Sequence, residues 1–67
     1  MRQQLIAASK LHFRAHIEKH HINIEVMLAN PTAIPEHSDI MEAIEKEAGQ
    51  IAEYMDKLEV METYFKE

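Results

Sequence analysis

The chain has 67 residues, 46% of them apolar, with one glycine, two prolines and no cysteine, which is the composition of packed helices. Without cysteine, disulfides, thiolate metal sites and cysteine nucleophiles are excluded. The net charge of −5 argues against nucleic-acid partners and membrane surfaces, because both are bound by clustered lysine and arginine. No apolar run is long enough for a signal peptide or a membrane span, so we expect a cytoplasmic protein.

A first helix is predicted over about residues 3–29. Residues spaced alternately by four and three form a mainly apolar stripe along it. The stripe consists of Ile6, Lys10, Phe13, Ile17, His20, Ile24 and Met27. A second apolar set falls roughly opposite and provides the candidate interface residues Leu11, Ala15, Ile22 and Val26. A helix with apolar residues on two sides is expected to have a neighbour on each side.

A loop is predicted over about residues 30–37. Pro31 excludes Asn30 from helical backbone geometry, and asparagine tolerates the left-handed conformation in which many helices end. Ser38 or Asp39 can then cap a second helix. Because the loop is short, we expect the two helices to be antiparallel neighbours.

The second helix is predicted over about residues 38–65 and also carries a regular stripe. This stripe consists of Ile40, Ile44, Glu47, Ile51, Tyr54, Leu58, Met61 and Phe65. Four further apolar residues widen the apolar arc of the helix, namely Met41, Ala48, Ala52 and Met55. Glutamate–lysine pairs four residues apart, such as Glu53–Lys57 and Glu62–Lys66, are expected to contribute roughly a few tenths of a kcal/mol each.

The two halves of the chain have opposite net charges, which supports antiparallel pairing. Residues 1–29 hold four basic and two acidic side chains, a net charge of +2, and residues 30–67 hold three basic and ten acidic ones, a net charge of −7. If residues whose numbers add to about 68 lie at the same level, His20 faces Glu47. We therefore predict a polar core pair of His20 and Glu47 within an all-α, single-domain hairpin over residues 1–67.

The two-sided first helix predicts that the hairpin does not act alone. A chain of this length buries only ~60% of its unfolded surface, so a single two-helix hairpin is marginally stable. We therefore expect a homodimer that forms a four-helix bundle, or a larger assembly of hairpins.

The histidines allow a second interpretation. His12, His16 and His20 are each one helical turn apart, and His21 follows Glu18 by three residues. Histidines one turn apart can chelate a divalent metal, and Glu-x-x-His on a helix is half of a di-iron bundle site. Such a ferritin-like site, completed by a second copy, would use Glu18, His20, His21 and Glu47. We favour a structural interpretation without metal or cofactor, in which His12, His16 and His21 are solvated or rim residues.

The run from Asn23 to Phe65 contains three short motifs: NIEV at its start, NPxxIxEHxD across the predicted loop, and KLEV near its end. In these motifs the chain resembles short proteins encoded by tailed bacteriophages of marine bacteria and cyanobacteria. The resemblance implies a small phage accessory protein that acts in the cytoplasm of the infected cell or is carried in the virion. Because they belong to the loop motif, Ile34, Glu36 and His37 are candidate contact residues at the hairpin tip.

The expected function is that of a non-enzymatic interaction or structural protein, a self-associating helical hairpin that binds a host or phage protein. The serines and threonines have no histidine–aspartate constellation beside them, and the single Gly49 cannot form a glycine-rich phosphate loop. The alternative function is that of a metal-binding four-helix bundle formed by the dimer.

Overall fold

The computed structural model describes residues 1–31 and 39–66, which form two helices that pack against each other. Helix α1 spans Arg2–Ala29 and helix α2 spans Ile40–Tyr64. No strand occurs within the described residues, so the predicted all-α hairpin is confirmed. In the same part of the chain, neither helix combines the length and the apolar character needed to cross a bilayer.

The first helix ends where proline enforces a change of backbone geometry. Asn30 has φ −148° and ψ 63°, and its N–H donates to the carbonyl of Val26 at 3.1 Å. This φ lies in the extended range and not in the left-handed range that asparagine also tolerates. The difference has a steric reason, because the residue before a proline is confined to extended φ values. Proline thus overrides the tolerance of asparagine for positive φ.

The second helix begins with a side-chain cap. The Asp39 carboxylate accepts hydrogen bonds from the backbone N–H groups of Met41 at 2.9 Å and Glu42 at 3.3 Å. It thereby satisfies two of the amide donors that the first turn of a helix leaves without a partner. The other predicted cap, Ser38, lies outside the described residues.

The antiparallel register is visible in three contacts whose residue numbers each add to 67. The Arg2 guanidinium lies 5.9 Å from the centre of the Phe65 ring, Phe13 lies 6.1 Å from Tyr54 between ring centres, and His20 hydrogen-bonds Glu47. This sum agrees with the value of about 68 expected from the sequence, and His20 faces Glu47 as predicted. Contacts of this kind run from one end of the hairpin to its middle.

The core of the hairpin is thin. Ile6, 6% exposed, and His20, 8% exposed, are the buried residues of the described chain, and no described side chain is completely buried. The other stripe residues of both helices are half-buried. Two helices can cover each other on one side only, so each stripe residue keeps an edge in contact with solvent.

Two ion pairs lie on the solvent-exposed surface of the helices. Lys57 and Glu53 form the predicted pair at 2.8 Å, whereas Glu62, expected to pair with Lys66, accepts from Arg14 of α1 at 2.8 Å. Arg14 reaches Glu62 because the two stripes lie side by side and bring their flanks together. Both pairs are about half exposed, so water screens them and each adds little to stability.

Candidate functional site

A polar layer connects the two helices near their middle. His20 of α1 and Glu47 of α2 each occupy a stripe position that is otherwise apolar. The Nδ1–H of His20 donates to Oε1 of Glu47 at 2.7 Å, and the Asn23 amide donates to the same oxygen at 2.8 Å. His20 and Asn23 are three residues apart and therefore lie on one side of α1. The structure thus brings the predicted polar pair together and adds a third member, Asn23.

The hydrogen bonds of this layer favour an ionised Glu47. The hydrogen bond from His20, and then the one from Asn23, lowers the pKa of the Glu47 carboxyl below its ordinary value, while partial burial acts in the opposite direction. Two donors converging on one oxygen are best satisfied by a carboxylate. Asn23 was not predicted as a member of the layer. Its position one helical turn after His20 indicates that the two residues lie on the same side of α1.

A stack of rings lies next to the polar layer. The ring of His16 packs parallel to that of Tyr54, with 4.2 Å between centres and 7° between planes. His20 lies parallel to the same tyrosine at 6.4 Å, and His12 meets His16 edge-on at 4.6 Å. The Lys57 ammonium lies 4.7 Å from the centre of the Tyr54 ring. Tyr54 is therefore the common partner of side chains from both helices.

His16 is more buried than His12 and His21, the other two histidines expected to be solvated or at the rim. Its ring is half-buried against Tyr54, and its Nδ1 atom is buried without a hydrogen-bond partner. Burial lowers the pKa of His16, and the neighbouring His12 and Lys19 lower it further. The burial of His16 was not predicted, because His16 lies beside the stripe, on the flank of α1 that packs against Tyr54. A neutral histidine is the form that this environment favours.

The four residues of the metal alternative form two separate pairs in one chain. Glu18 and His21 are exposed on the outside of α1, where His21 contacts Glu18 at 3.2 Å and Glu25 at 3.3 Å. His20 and Glu47 face each other between the helices. Within residues 1–31 and 39–66, no group of three or more such side chains is arranged to hold a metal ion.

The second apolar side of α1 is exposed. We call it the outer face and define it by the apolar residues opposite the stripe, which are Ala8, Leu11, Ala15, Ile22, Val26 and Ala29. Leu11 is 65%, Ile22 52% and Val26 62% exposed. Aliphatic side chains of this size are usually buried in folded proteins, and these three lie along one side of a single helix.

The apolar residues that widen the arc of α2 and the loop contact candidates lie elsewhere. On α2, Met41 and Met55 are exposed on a flank of the helix and not on its inner side. The loop candidates Ile34, Glu36 and His37 lie outside the described residues. The outer face is thus the part of the predicted contact surface that the structure describes in full.

Comparison of the chain with protein-family models, with curated proteins and with solved structures gives no match. The candidate functions therefore rest on the residues and their geometry.

Proposed function

We propose that the protein is a non-enzymatic interaction protein whose hairpin associates with a second copy through the outer face of α1. The observation that carries the proposal is the exposure of Leu11, Ile22 and Val26, each more than half exposed on the side of α1 away from α2. Two such hairpins bring four helices together, with α1 of each copy between its own α2 and the second copy.

Covering the exposed apolar side chains favours association. Full burial of an aliphatic side chain of this size is worth ~1.5–3 kcal/mol, so covering the exposed part of each contributes roughly 1–2 kcal/mol. Three such side chains on each of two copies give on the order of 6–12 kcal/mol, against an association cost that begins at ~4 kcal/mol. The largest gain with the smallest cost leaves ~8 kcal/mol, so micromolar affinity is the upper limit for this face.

The thin core supports the same proposal. Ile6 and His20 are the buried residues of the described chain, and one of the two is polar. Small domains with so little buried apolar surface generally depend on disulfides, metals or partner subunits. This chain has no cysteine, and a second copy offers an apolar surface that matches the one left open.

The polar layer fits a structural role. The polar groups of His20, Asn23 and Glu47 are hydrogen-bonded to one another. A buried polar contact of this kind disfavours shifted registers, because any slip would leave these groups without partners. We assign the layer the role of fixing how α2 aligns with α1.

We further propose that the dimer is a phage accessory protein that displays α2 to a host or phage protein. Support comes from the resemblance of the loop and α2 motifs and from the acidic side chains exposed on α2, among them Glu45, Asp56 and Glu59. Such a surface complements a basic partner. Capture of a host or phage protein that is lost when these three residues become amides would support it, and capture unaffected by the change would contradict it.

Self-association is tested by sedimentation equilibrium on Leu11→Glu and Ile22→Glu. Each substitution places a charge on the outer face and should convert the dimer to a destabilised monomer. Val60→Glu is the matched control, because Val60 of α2 is 50% exposed, as Ile22 nearly is, but lies outside the outer face. If the outer-face variants keep the mass and helicity of the control, the face is not an interface.

A further inference from the structure

We propose that the two α1 helices of the dimer run antiparallel, related by a two-fold axis that passes beside Glu18 and Lys19. This inference rests on the self-association proposed above and specifies its geometry. It concerns which residue of one copy faces which residue of the other.

The spacing of the outer face is symmetric about its centre. From Ala8 to Ala29 its members follow one another at intervals of 3, 4, 7, 4 and 3 residues. The midpoint lies between Glu18 and Lys19. A two-fold axis at this point places every apolar residue of the face opposite another apolar residue of the second copy. The facing pairs are Leu11 with Val26, Ala15 with Ile22, and Ala8 with Ala29.

Side-chain size favours antiparallel over parallel pairing. In the antiparallel arrangement Ala15 faces Ile22 at the two levels beside the axis, so a small residue accommodates a large one there. In a parallel, in-register arrangement each residue faces its own copy, so that Ala15 faces Ala15 and Ile22 faces Ile22. The antiparallel arrangement therefore packs the centre of the outer face more evenly.

Charge favours the same orientation. Glu18 and Lys19 flank the outer face at its midpoint. Antiparallel helices place Glu18 of each copy at the level of Lys19 of the other, whereas parallel, in-register helices place like charges at the same level. Opposed helix dipoles add to this preference.

The geometry also determines the arrangement of the four helices. The outer face lies on the side of α1 opposite α2, so the second copy extends the hairpin in the direction away from α2. The four helices then lie side by side, with the two α1 helices in the centre and an α2 helix at each edge. The exposed acidic side chains of both α2 helices stay accessible in this arrangement.

Cysteine crosslinking tests the orientation, because the chain contains no thiol of its own. Ala15→Cys chains are mixed with Ile22→Cys chains, refolded together, treated with a short bis-maleimide and analysed by intact mass. The two chains differ in mass, so mixed and self-linked products separate. We expect the mixed product to exceed the self-linked ones at least ten-fold. A mixture of Ala8→Cys with Ala15→Cys is the control, in which the mixed product should not be enriched.

The outcomes separate the two proposals. Predominant self-linked products, or a protein that sediments as a dimer but links in no combination, overturn the antiparallel geometry and leave the dimer intact. A mixture of Ala8→Cys with Ala29→Cys provides a second pair that changes the outer face very little, and it should also give the mixed product. A cysteine-free protein that sediments as a folded monomer overturns the proposed self-association itself.

Discussion

The polar layer between the helices gives the sharpest stability prediction. Replacing Glu47 by alanine removes the acceptor of two hydrogen bonds, from His20 Nδ1 at 2.7 Å and from the Asn23 amide at 2.8 Å. His20 is buried, so its donor cannot turn fully to water. Leaving a buried donor without a partner costs ~1–3 kcal/mol, and we expect Glu47→Ala to lower the free energy of unfolding by about 2 kcal/mol.

The effect is measured by urea or thermal unfolding followed by circular dichroism. About 2 kcal/mol corresponds to roughly 8–16 °C in Tm for a chain of this size. Glu45→Ala is the matched control, because it is the same chemical change at an exposed position of the same helix. All variants are compared at one protein concentration, since association also contributes to stability. A loss no larger than that of Glu45→Ala would refute the role of the layer.

The pH dependence of the same variant provides a second check. Because the pKa of Glu47 is lowered in the folded protein, its contribution to stability is present above the ordinary value of 4.5 and is lost as pH falls through the folded value. We therefore expect the native protein to lose stability below about pH 4.5 more steeply than Glu47→Ala does. Equal slopes for the two proteins would show that Glu47 does not titrate with folding.

Two further substitutions test other features of the hairpin. His16→Phe keeps the stack on Tyr54 and removes a buried nitrogen without a partner. Since the pKa of His16 is lowered, the native protein should lose stability as pH falls from the ordinary value of 6.5, and the variant should lose less. An unchanged pH profile by chemical unfolding would contradict this. Gly49→Ala should stabilise the protein by ~1 kcal/mol, because a Cβ at this helical position meets nothing within 4 Å of the chain. A higher dissociation constant of the dimer in sedimentation equilibrium would instead place Gly49 in a contact between copies.

The sequence predicted the hairpin because its apolar periodicity is regular over both helices and is interrupted at one place, around Pro31. The facing positions of His20 and Glu47 followed from the same periodicity, since each replaces an apolar residue in its stripe. A stripe is one line of residues on each helix. It predicts where the polar layer lies, but not which groups contact the layer from the side.

The features that were missed lie on the flanks of the stripes. Asn23 reaches Glu47 from one flank of α1, His16 packs under Tyr54 from the same flank, and Arg14 reaches Glu62 from the other. The contacts between flanks depend on how far each helix is rotated about its own axis. One residue corresponds to about 100° of rotation, and the stripe pattern defines the facing side less finely than these contacts require.

Sedimentation equilibrium of the unmodified protein tests the central claim most directly, namely that the outer face of α1 is covered by a second copy. For a chain of 7.8 kDa at tens of micromolar, a range set by the expected affinity, we predict a mass twice that of the chain. Leu11→Glu should give the mass of a single chain under the same conditions. A folded, helical native protein that sediments at 7.8 kDa would contradict the account.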